Sequence, residues 1–340
     1  MVAAILKSKG HDVVGVTMQI WQESQTDPRH AGCCSLGAVE DARRVASVLD
    51  VPHYVVNFKD KFRETVIDEF IDEYAAGRTP NPCVTCNREV KFKELMRKAR
   101  ELGCDYLATG HYARIKKDTR TGRYRLMRAK SRAKDQSYAL YMLSQRQLAH
   151  TWFPLGDLDD KAETRRLAEQ YRLPVADKPD SQEICFVNDA GGYREFLRKN
   201  RPEMFRKGAL VDTKGNVVGE HQGVAAYTIG QRKGLGIALG RPQYVVSIHP
   251  SQGTVVVGDK HELLQDRVDL QEVVWSAARP KQAPMRVTAK VRYNMDPRPA
   301  TLIAEPEPAI VFDQPVHAVA PGQIAVAYRR ETVVAGGKIR

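Results

Sequence analysis

Residues 11–21 read HDVVGVTMQIW, a run rich in β-branched side chains that is typical of a buried strand. Residues 36–49 follow with apolar side chains at helical spacing, and residues 53–58 (HYVVNF) have the pattern of a second strand. Strands that alternate with helices of this length predict βαβ units and a parallel sheet. The first part of the chain is therefore expected to be an α/β domain.

The same alternation continues to about residue 110. Helices are predicted over residues 59–76 and 87–102, and a short strand over residues 105–109 ends at Gly110 and His111. Open parallel sheets bind their ligands beyond the carboxyl ends of the strands. Met18, Gly110 and His111 fall at such ends, which predicts a ligand site at this edge of the sheet.

The pattern changes near residue 190. Hairpins are predicted to turn at residues 214–216 and 251–253, and from Met285 onward short strands punctuated by Pro and Gly predict a β-barrel. The sequence thus predicts three domains: an α/β domain over residues 1–190, a small α+β middle domain over 191–262 and a C-terminal β-barrel over 263–340.

The composition limits the classes of partner. The 340 residues include 53 Lys and Arg against 41 Asp and Glu, which gives a formal net charge of +12. This excess favours a polyanionic partner, because each neutralised phosphate releases condensed counterions, although a basic enzyme without such a partner fits the charge as well. No apolar run approaches the roughly 20 residues that cross a bilayer, and no signal-peptide pattern is present. We expect a cytoplasmic protein that does not bind membranes.

Six cysteines are too few for a secreted disulfide scaffold, so catalysis or metal binding is the expected use of clustered thiols. Cys104 and the adjacent pair Cys33 and Cys34 are interpreted as structural. The remaining three are Cys83, Cys86 and Cys185.

Residues 79–92 read TPNPCVTCNREVKF and contain two of these cysteines. The two prolines predict an extended loop, and Asn87 is a candidate N-cap for the helix that follows. Cys86 is then expected at the helix entrance, where the backbone N–H groups and nearby Arg88 and Lys91 favour a thiolate. Half of a zinc site is the alternative, but a second ligand pair at the required spacing does not follow.

Cys185 lies in the segment DSQEICFV, residues 180–187. Taken alone it fits a buried core cysteine, whereas the polar residues before it favour a loop. If Cys86 and Cys185 meet in one cleft, they could relay sulfur through a persulfide and a disulfide.

Nine segments, in order along the chain, resemble the bacterial tRNA-specific 2-thiouridylases. They are GVTMQIW (15–21), residues 32–58, TPNPCVTCNREVKF (79–92), LATGHYAR (107–114), KDQSYAL (134–140), DSQEICFV (180–187), YTIGQRKGLGIA (227–238), VRYN (291–294) and APGQIAVAY (320–328). The resemblance implies a Rossmann-like adenine nucleotide alpha hydrolase domain of the PP-loop type, followed by the middle domain and the barrel. It also implies a tRNA-uridine 2-sulfurtransferase.

In that family, ATP adenylates the C2 oxygen of the wobble uridine in the tRNAs for Lys, Glu and Gln, and a persulfide delivers sulfur to C2. The resemblance implies ATP with Mg²⁺ as the cofactor, and tRNA as the substrate. It also implies a persulfide donor, either a cysteine desulfurase or a relay protein, as the partner. A monomer is expected.

The resemblance assigns roles by motif position. Cys185 corresponds to the persulfide carrier and Cys86 to the catalytic nucleophile, and the two would form a disulfide during the relay. Met18 and Gly110 correspond to nucleotide contacts. The remaining matches are contacts with the target base, at Asn81, Pro82 and Cys83, and with tRNA, at His111, Lys134, Asp135, Gln136, Arg292, Tyr293 and Gln323.

Two departures from the family pattern matter. Cys83 stands where many members have Asp, so Cys83, Cys86 and Cys185 could hold a [4Fe–4S] cluster with one open iron. The alternative is that Cys83 replaces the Asp in a metal-free relay. In addition, family members begin with a strand and the loop S-G-G-V-D-S-S, whose last Ser falls at Met1 here. This suggests a start site assigned downstream of the phosphate loop, or else a tRNA-binding protein without catalysis.

Overall fold

The βαβ unit predicted from residues 11–58 is present in the structure. This structure is a computed structural model, and it describes residues 1–21, 36–174, 184–188, 190–276 and 284–340. After helix α1 (Val2–Ser8), strand β1 (Gly15–Gln19) pairs in parallel with β2 (His53–Asn57). Helix α2 (Leu36–Val48) lies between them in sequence. The prediction of parallel strands joined by a helix is therefore confirmed.

Helical segments occupy most of residues 59–101. The predicted helix 59–76 consists of α3 (Lys59–Phe62), a π-helical stretch (Arg63–Ile67) and α4 (Asp68–Ala75). The next helical run is longer than predicted, because it starts with α5 (Pro82–Thr85). It continues through a π-helical stretch (Cys86–Leu95) into α6 (Met96–Glu101).

Short strands and helices follow up to residue 188. Strand β3 (Leu107–Ala108) pairs in parallel with β6 (Thr151–Trp152), and β4 (Ala113–Lys117) forms an antiparallel hairpin with β5 (Tyr124–Arg128). The α-helices among the described residues of this region are α7 (Gln145–Ala149), α8 (Lys161–Gln170) and α9 (Cys185–Asn188).

The middle region contains α10 (Tyr193–Asn200) and a four-stranded sheet in the order β8-β7-β10-β9. Its strands are β7 (Gly208–Asp212), β8 (Val217–His221), β9 (Tyr244–His249) and β10 (Thr254–Gly258). Both predicted hairpins are confirmed, since β7 pairs antiparallel with β8 and β9 with β10. The Asp212 carboxylate accepts the backbone N–H groups of Lys214 and Asn216, which fixes the first turn.

The C-terminal strands form the predicted barrel, in the order β11-β14-β13-β12-β15-β16 with β16 closing on β11. They are β11 (Leu264–Trp275), β12 (Met285–Lys290), β13 (Arg298–Ile303), β14 (Ala309–His317), β15 (Ile324–Arg329) and β16 (Thr332–Ile339). Alternate side chains such as Val287 and Ala289 fill its core, as expected for strands with one buried face.

The chain divides into two compact units. The first comprises Met1–Ile67, Cys83–Ala190 and Glu331–Val333, and the second comprises Asp68–Pro82, Gly191–Arg330 and Val334–Arg340. The second unit thus includes α4 and the loop after it, which the predicted boundary at residue 190 had placed in the first domain. The three-domain division stays a prediction. In the part of the chain that the structure describes, none of the helices has the length and apolarity that crossing a membrane requires.

Candidate active site

The helix that carries Cys86 begins five residues earlier than predicted, at Pro82 instead of Asn87. Pro82 is the first residue of α5, a position that suits proline because its missing N–H would have no partner there. Cys83 therefore lies in the first helical turn and is exposed, whereas Cys86 lies further along and is 8% exposed. The expectation that Cys86 stands at the helix entrance with Asn87 as N-cap is wrong for this reason.

Asn87 instead joins this helix to another segment of the first unit. Its side chain is buried, and Nδ2 donates a hydrogen bond to the carbonyl oxygen of Ala139 at 2.9 Å. Ala139 belongs to a 3₁₀ turn, Ser137–Leu140, that directly follows the predicted tRNA contacts at residues 134–136. Asn87 Oδ1 is a buried acceptor without a hydrogen-bond partner among the described residues.

His111 packs against the same helix. Its ring lies 5.8 Å from the ring of Phe92 and 5.9 Å from that of Phe153, between centroids, and Nδ1 is 2.7 Å from Thr109 Oγ1. Burial lowers the pKa of His111 well below its usual value, and the charge of Lys91 acts in the same direction. A neutral ring can contact tRNA by packing and hydrogen bonding, but not as a cation.

Asp135 is a buried carboxylate that organises its own segment. Its oxygens accept hydrogen bonds from Arg128 Nε at 2.9 Å, from the N–H of Ala129 at 3.0 Å, and from both the N–H and the hydroxyl of Ser137. The side chain is only 3% exposed. The tRNA contact expected of Asp135 stays a prediction, and in this structure its carboxylate bonds to neighbouring residues.

Gln136 and Lys134 flank Asp135. Gln136 Oε1 accepts the N–H of Tyr112 at 3.0 Å, and the Gln136 N–H donates to the Tyr112 carbonyl at 2.8 Å. Since Tyr112 follows His111, these bonds place the predicted contact segment beside that histidine. Lys134 ends a 3₁₀ turn, Arg132–Lys134, and is half-buried.

Cys185 is half-buried at the start of α9, in the same compact unit as Cys86. The next residue, Phe186, has its ring 5.8 Å from that of Phe62 and 6.2 Å from that of Trp21. Trp21 lies just beyond the carboxyl end of β1, and α3, which contains Phe62, contacts the Cys86 helix. The convergence of the two sulfur atoms stays a prediction. Residues 180–183 of the motif, like Cys33 and Cys34, lie outside the described residues.

The proposed cluster site gains no support from the side chains. Cys83, Cys86 and Cys185 all lie in the part of the chain that the structure describes. Across the ranges that the structure describes, no three His, Cys, Asp or Glu residues are grouped as metal ligands. The three cysteines are therefore not assembled as a cluster site in this conformation.

The two candidate nucleotide contacts lie at strand ends, as predicted. Met18 is the penultimate residue of β1, and Gly110 follows β3. Gly110 is exposed, and a Cβ built on it would meet only Leu155 at 3.7 Å and Val2 at 4.0 Å. Backbone that is open in this way suits the close approach of a nucleotide.

The second unit holds the other candidates. Arg292 and Tyr293 are exposed in the turn after β12, and the Nζ of Lys290 lies 5.6 Å from the centroid of the Tyr293 ring. An exposed guanidinium and an exposed ring next to a cation are suited to phosphate and base contacts. Asn81 is half-buried and Pro82 is buried.

The tRNA contact expected of Gln323 stays a prediction, and in this structure its side-chain amide bonds to the backbone of the loop after α4. Its Nε2 donates to the carbonyl oxygens of Thr79 at 3.0 Å and Pro80 at 3.1 Å. Sequence reasoning missed this connection, and it missed Glu73, which is buried on α4. The available signal was a charged residue at position 73 within the apolar stripe of Phe70, Ile71 and Tyr74.

Comparison with known proteins covers nearly all of the chain. Family models described as tRNA methyl transferase HUP domain, tRNA methyl transferase PRC-barrel domain and aminomethyltransferase beta-barrel domain match residues 1–189, 194–259 and 265–339. A protein of Clostridioides difficile named tRNA-specific 2-thiouridylase MnmA is 48% identical over 99% of this chain and 93% of its own length. A protein of the same name from Moorella thermoacetica is 50% identical over 99% of the chain and 95% of its own length.

Proposed function

Because this chain belongs to the tRNA-specific 2-thiouridylase family, we propose that it is a tRNA-uridine 2-sulfurtransferase that converts the wobble uridine of tRNAs for Lys, Glu and Gln to 2-thiouridine. The observation that carries the proposal is the identity of about one half with such enzymes along almost the entire chain. The family models are described by methyl transfer, but Cys86 and Cys185, which both belong to the first unit, suit sulfur chemistry.

The reaction needs an activated oxygen and a sulfur nucleophile. Transfer of AMP from ATP to the C2 oxygen of the uridine releases pyrophosphate and turns a poor leaving group into AMP. Met18 and Gly110 would hold the nucleotide at the ends of β1 and β3, and Mg²⁺ would accompany it. This step depends on positioning and on charge stabilisation more than on a protein nucleophile.

Cys185 is assigned as the sulfur carrier. As a persulfide, its terminal sulfur attacks C2 and AMP leaves, which yields a uridine joined to Cys185 through a disulfide. The Cys86 thiolate then attacks the Cys185 sulfur, so that 2-thiouridine departs and a Cys86–Cys185 disulfide forms. A thiol reductant must restore both cysteines, and a persulfide donor must reload Cys185. We assign Cys83 to the position of the family's Asp in a metal-free relay.

Recognition of the tRNA is assigned to both units, each through its own residues. The target base must leave its stack, at a cost that is small in an unpaired anticodon loop. Asn81, Pro82 and Cys83 would contact this base. The other tRNA contacts would be His111 and residues 134–136 in the first unit, and Arg292 and Tyr293 in the second. A cytoplasmic location and a monomeric state complete the proposal.

The test is thiolation by the purified chain. The protein, ATP, Mg²⁺, a persulfide donor and an unmodified tRNA are incubated without oxygen, and 2-thiouridine and AMP are measured. Cys86→Ser and Cys185→Ser should each abolish 2-thiouridine, while the matched control Cys104→Ser should retain it. Product formed by either serine variant would refute the relay.

Binding of tRNA without AMP release would favour a non-catalytic tRNA-binding protein. Iron analysis of the same sample decides between a cluster and the metal-free relay.

A further inference from the structure

Helix α4 contains a carboxylate in an apolar setting. Glu73 lies among Phe70, Ile71 and Tyr74, all buried, and its own side chain is 7% exposed. A buried carboxylate is costly unless it is paired and hydrogen-bonded, so the partners of Glu73 indicate what the local structure is built to hold.

Two cations contact Glu73 from either side. Arg78 donates from Nε to Oε2 at 2.8 Å and from Nη2 to Oε1 at 2.6 Å, which is the strong bidentate geometry. Lys338 of β16 lies 2.9 Å from Oε1 through its Nζ. Burial alone would raise the pKa of Glu73, but the hydrogen bonds from Arg78 and Lys338 outweigh it and the pKa is lowered. This ion cluster thus joins the start of the loop after α4 to the last strand of the barrel.

The next two residues of the loop are fixed by the turn before β15. The N–H of Thr79 donates to the Pro321 carbonyl at 2.8 Å, and Gln323 Nε2 donates to the carbonyls of Thr79 and Pro80. Pro80 has no N–H to satisfy. The backbone hydrogen-bonding groups of Thr79 and Pro80 are therefore all bonded to residues 321–323.

We propose that Gln323, together with the Glu73–Arg78–Lys338 ion cluster, is a positioning device that holds residues 78–80 against the C-terminal barrel and so presets Asn81 and Pro82 for the target uridine. The inference rests on the proposed function, which assigns the base contact to Asn81 and Pro82. It changes the role of Gln323, since the amide that donates to both carbonyls supports the loop instead of contacting tRNA.

A preset loop should affect the chemical step more than binding. Most of the tRNA surface contacts other residues, whereas the uridine must be placed within a fraction of an ångström of its attacking sulfur. Misplacement by about 1 Å can lower a rate by roughly 100-fold. Loss of the Gln323 donors is therefore expected to slow thiolation at saturating tRNA by about 10- to 100-fold and to leave the tRNA Kd within about twofold.

The experiment compares Gln323→Met and Gln323→Glu with the wild type. The matched control is Gln314→Glu, which introduces the same charge at an exposed position on β14. Three quantities are measured for each: the single-turnover rate at saturating tRNA, the tRNA Kd, and hydrogen exchange of the peptide that spans residues 76–82. The Gln323 variants should show the slower rate, an unchanged Kd and faster exchange of the Thr79 amide, and the control should match the wild type.

A substitution at Arg78 tests the same loop independently, in case the variants at position 323 misfold. Arg78→Met removes the bidentate pair from the other side of the loop and should accelerate the same exchange, and Arg78→Lys should recover part of the protection. If the Kd of the Gln323 variants rises in proportion to the loss of rate while exchange stays at the wild-type level, Gln323 is a tRNA contact and the proposal is overturned. Faster exchange throughout the second unit would also overturn it, because the effect would then be general destabilisation.

The two proposals can fail separately. If the wild type forms no 2-thiouridine, the proposed function is lost, yet the exchange measurement still decides whether Gln323 and Arg78 hold residues 78–80. Protection that is unchanged in Gln323→Met, Gln323→Glu and Arg78→Met would overturn the positioning role, even in an active enzyme.

Discussion

Gly322 shows how one missing side chain permits the contact between the barrel turn and the loop after α4. Its φ of +88° is unfavourable for residues with a Cβ, and an added Cβ would lie 3.0 Å from Arg78 Cβ, Glu73 Oε2 and the Thr79 nitrogen. Gly215 has nearly the same φ, +87°, but no heavy atom within 4 Å of an added Cβ. Substitution of Gly215 therefore tests backbone strain alone, whereas substitution of Gly322 tests strain and crowding by neighbouring atoms together.

We expect Gly322→Ala to destabilise the protein clearly more than Gly215→Ala. The Gly215 variant should lose about 1–2 kcal/mol, the usual cost of the left-handed conformation, and the Gly322 variant about 3 kcal/mol because the neighbours must also move. Thermal unfolding of both variants in one buffer measures the difference. Equal losses would mean that the approach of the turn to residues 73–79 is not tight.

His221 is the residue whose protonation should couple stability to pH. It is 1% exposed, its Nε2 donates to the Gly253 carbonyl at 2.9 Å, and its Nδ1 accepts the Gly223 N–H at 3.0 Å. The bond from Gly223 requires an unprotonated Nδ1 and therefore the neutral ring. Burial lowers the pKa of His221, and the bond to Gly253 opposes this only in part.

Because the folded pKa of His221 lies below that of the unfolded chain, about 6.5, the unfolded state takes up the proton first as the pH falls. This contribution to stability should be intact above pH 6.5 and should decline as the pH decreases from there towards the folded pKa. Unfolding midpoints measured from pH 8 to pH 5 test it, with His221→Gln as the reference. A pH slope that is the same in both proteins would assign the decline to other groups.

Among the larger elements, residues 128–140 form a segment organised by a single carboxylate. Asp135 connects Arg128 and Ala129 at the end of β5 to Ser137 in the following 3₁₀ turn. This segment in turn accepts the hydrogen bond from Asn87 of the Cys86 helix, at Ala139. The position of the predicted tRNA contacts therefore depends on a carboxylate that is itself 3% exposed.

Asp135→Asn should destabilise the first unit and loosen this segment. The substitution removes the charge from a carboxylate that is 3% exposed and breaks its ion pair with Arg128, and the loss of a buried ion pair costs about 3 kcal/mol. Asp157→Asn is the matched control, because its side chain is 83% exposed and should change stability by less than about 0.5 kcal/mol. Unfolding midpoints and hydrogen exchange over residues 128–140 measure the effects, and a similar response to both substitutions would contradict the prediction.

The elements differ in how far the sequence specifies them. The hairpin at residues 212–217 was predicted correctly because its turn is stabilised by Asp212 and Gly215 within the turn itself. The start of the Cys86 helix was missed because proline is compatible with both an extended loop and the first helical turn. The contact between Gln323 and residues 79–80 spans 243 positions or more, and no local pattern indicates it.

At the scale of the whole molecule, the candidate residues are divided between the two compact units. Cys83, Cys86 and Cys185 belong to the first, and Arg292 and Tyr293 belong to the second. The sequence indicated both groups through motifs that resemble the family. It could not indicate that α4 and residues 76–82 belong to the second unit, since that follows from contacts with distant strands such as the one between Glu73 and Lys338.

The net charge of +12 predicts how tRNA affinity should respond to salt. Each phosphate that a cation neutralises adds about 0.7 to 0.9 to the negative slope of log affinity against log salt concentration. Arg292 is exposed. The guanidinium of Arg286 is also exposed, but it is held by both oxygens of Asp313 at 2.7 and 2.6 Å.

We expect the slope of the wild type to be steep and Arg292→Gln to reduce it by about one. Arg286→Gln, the matched control, should leave it unchanged because that cation already has a carboxylate partner. Titrations of fluorescent tRNA at several salt concentrations measure the slopes. A slope near zero in the wild type would mean that phosphates contribute little to binding, and equal changes in the two variants would remove Arg292 from the tRNA contacts.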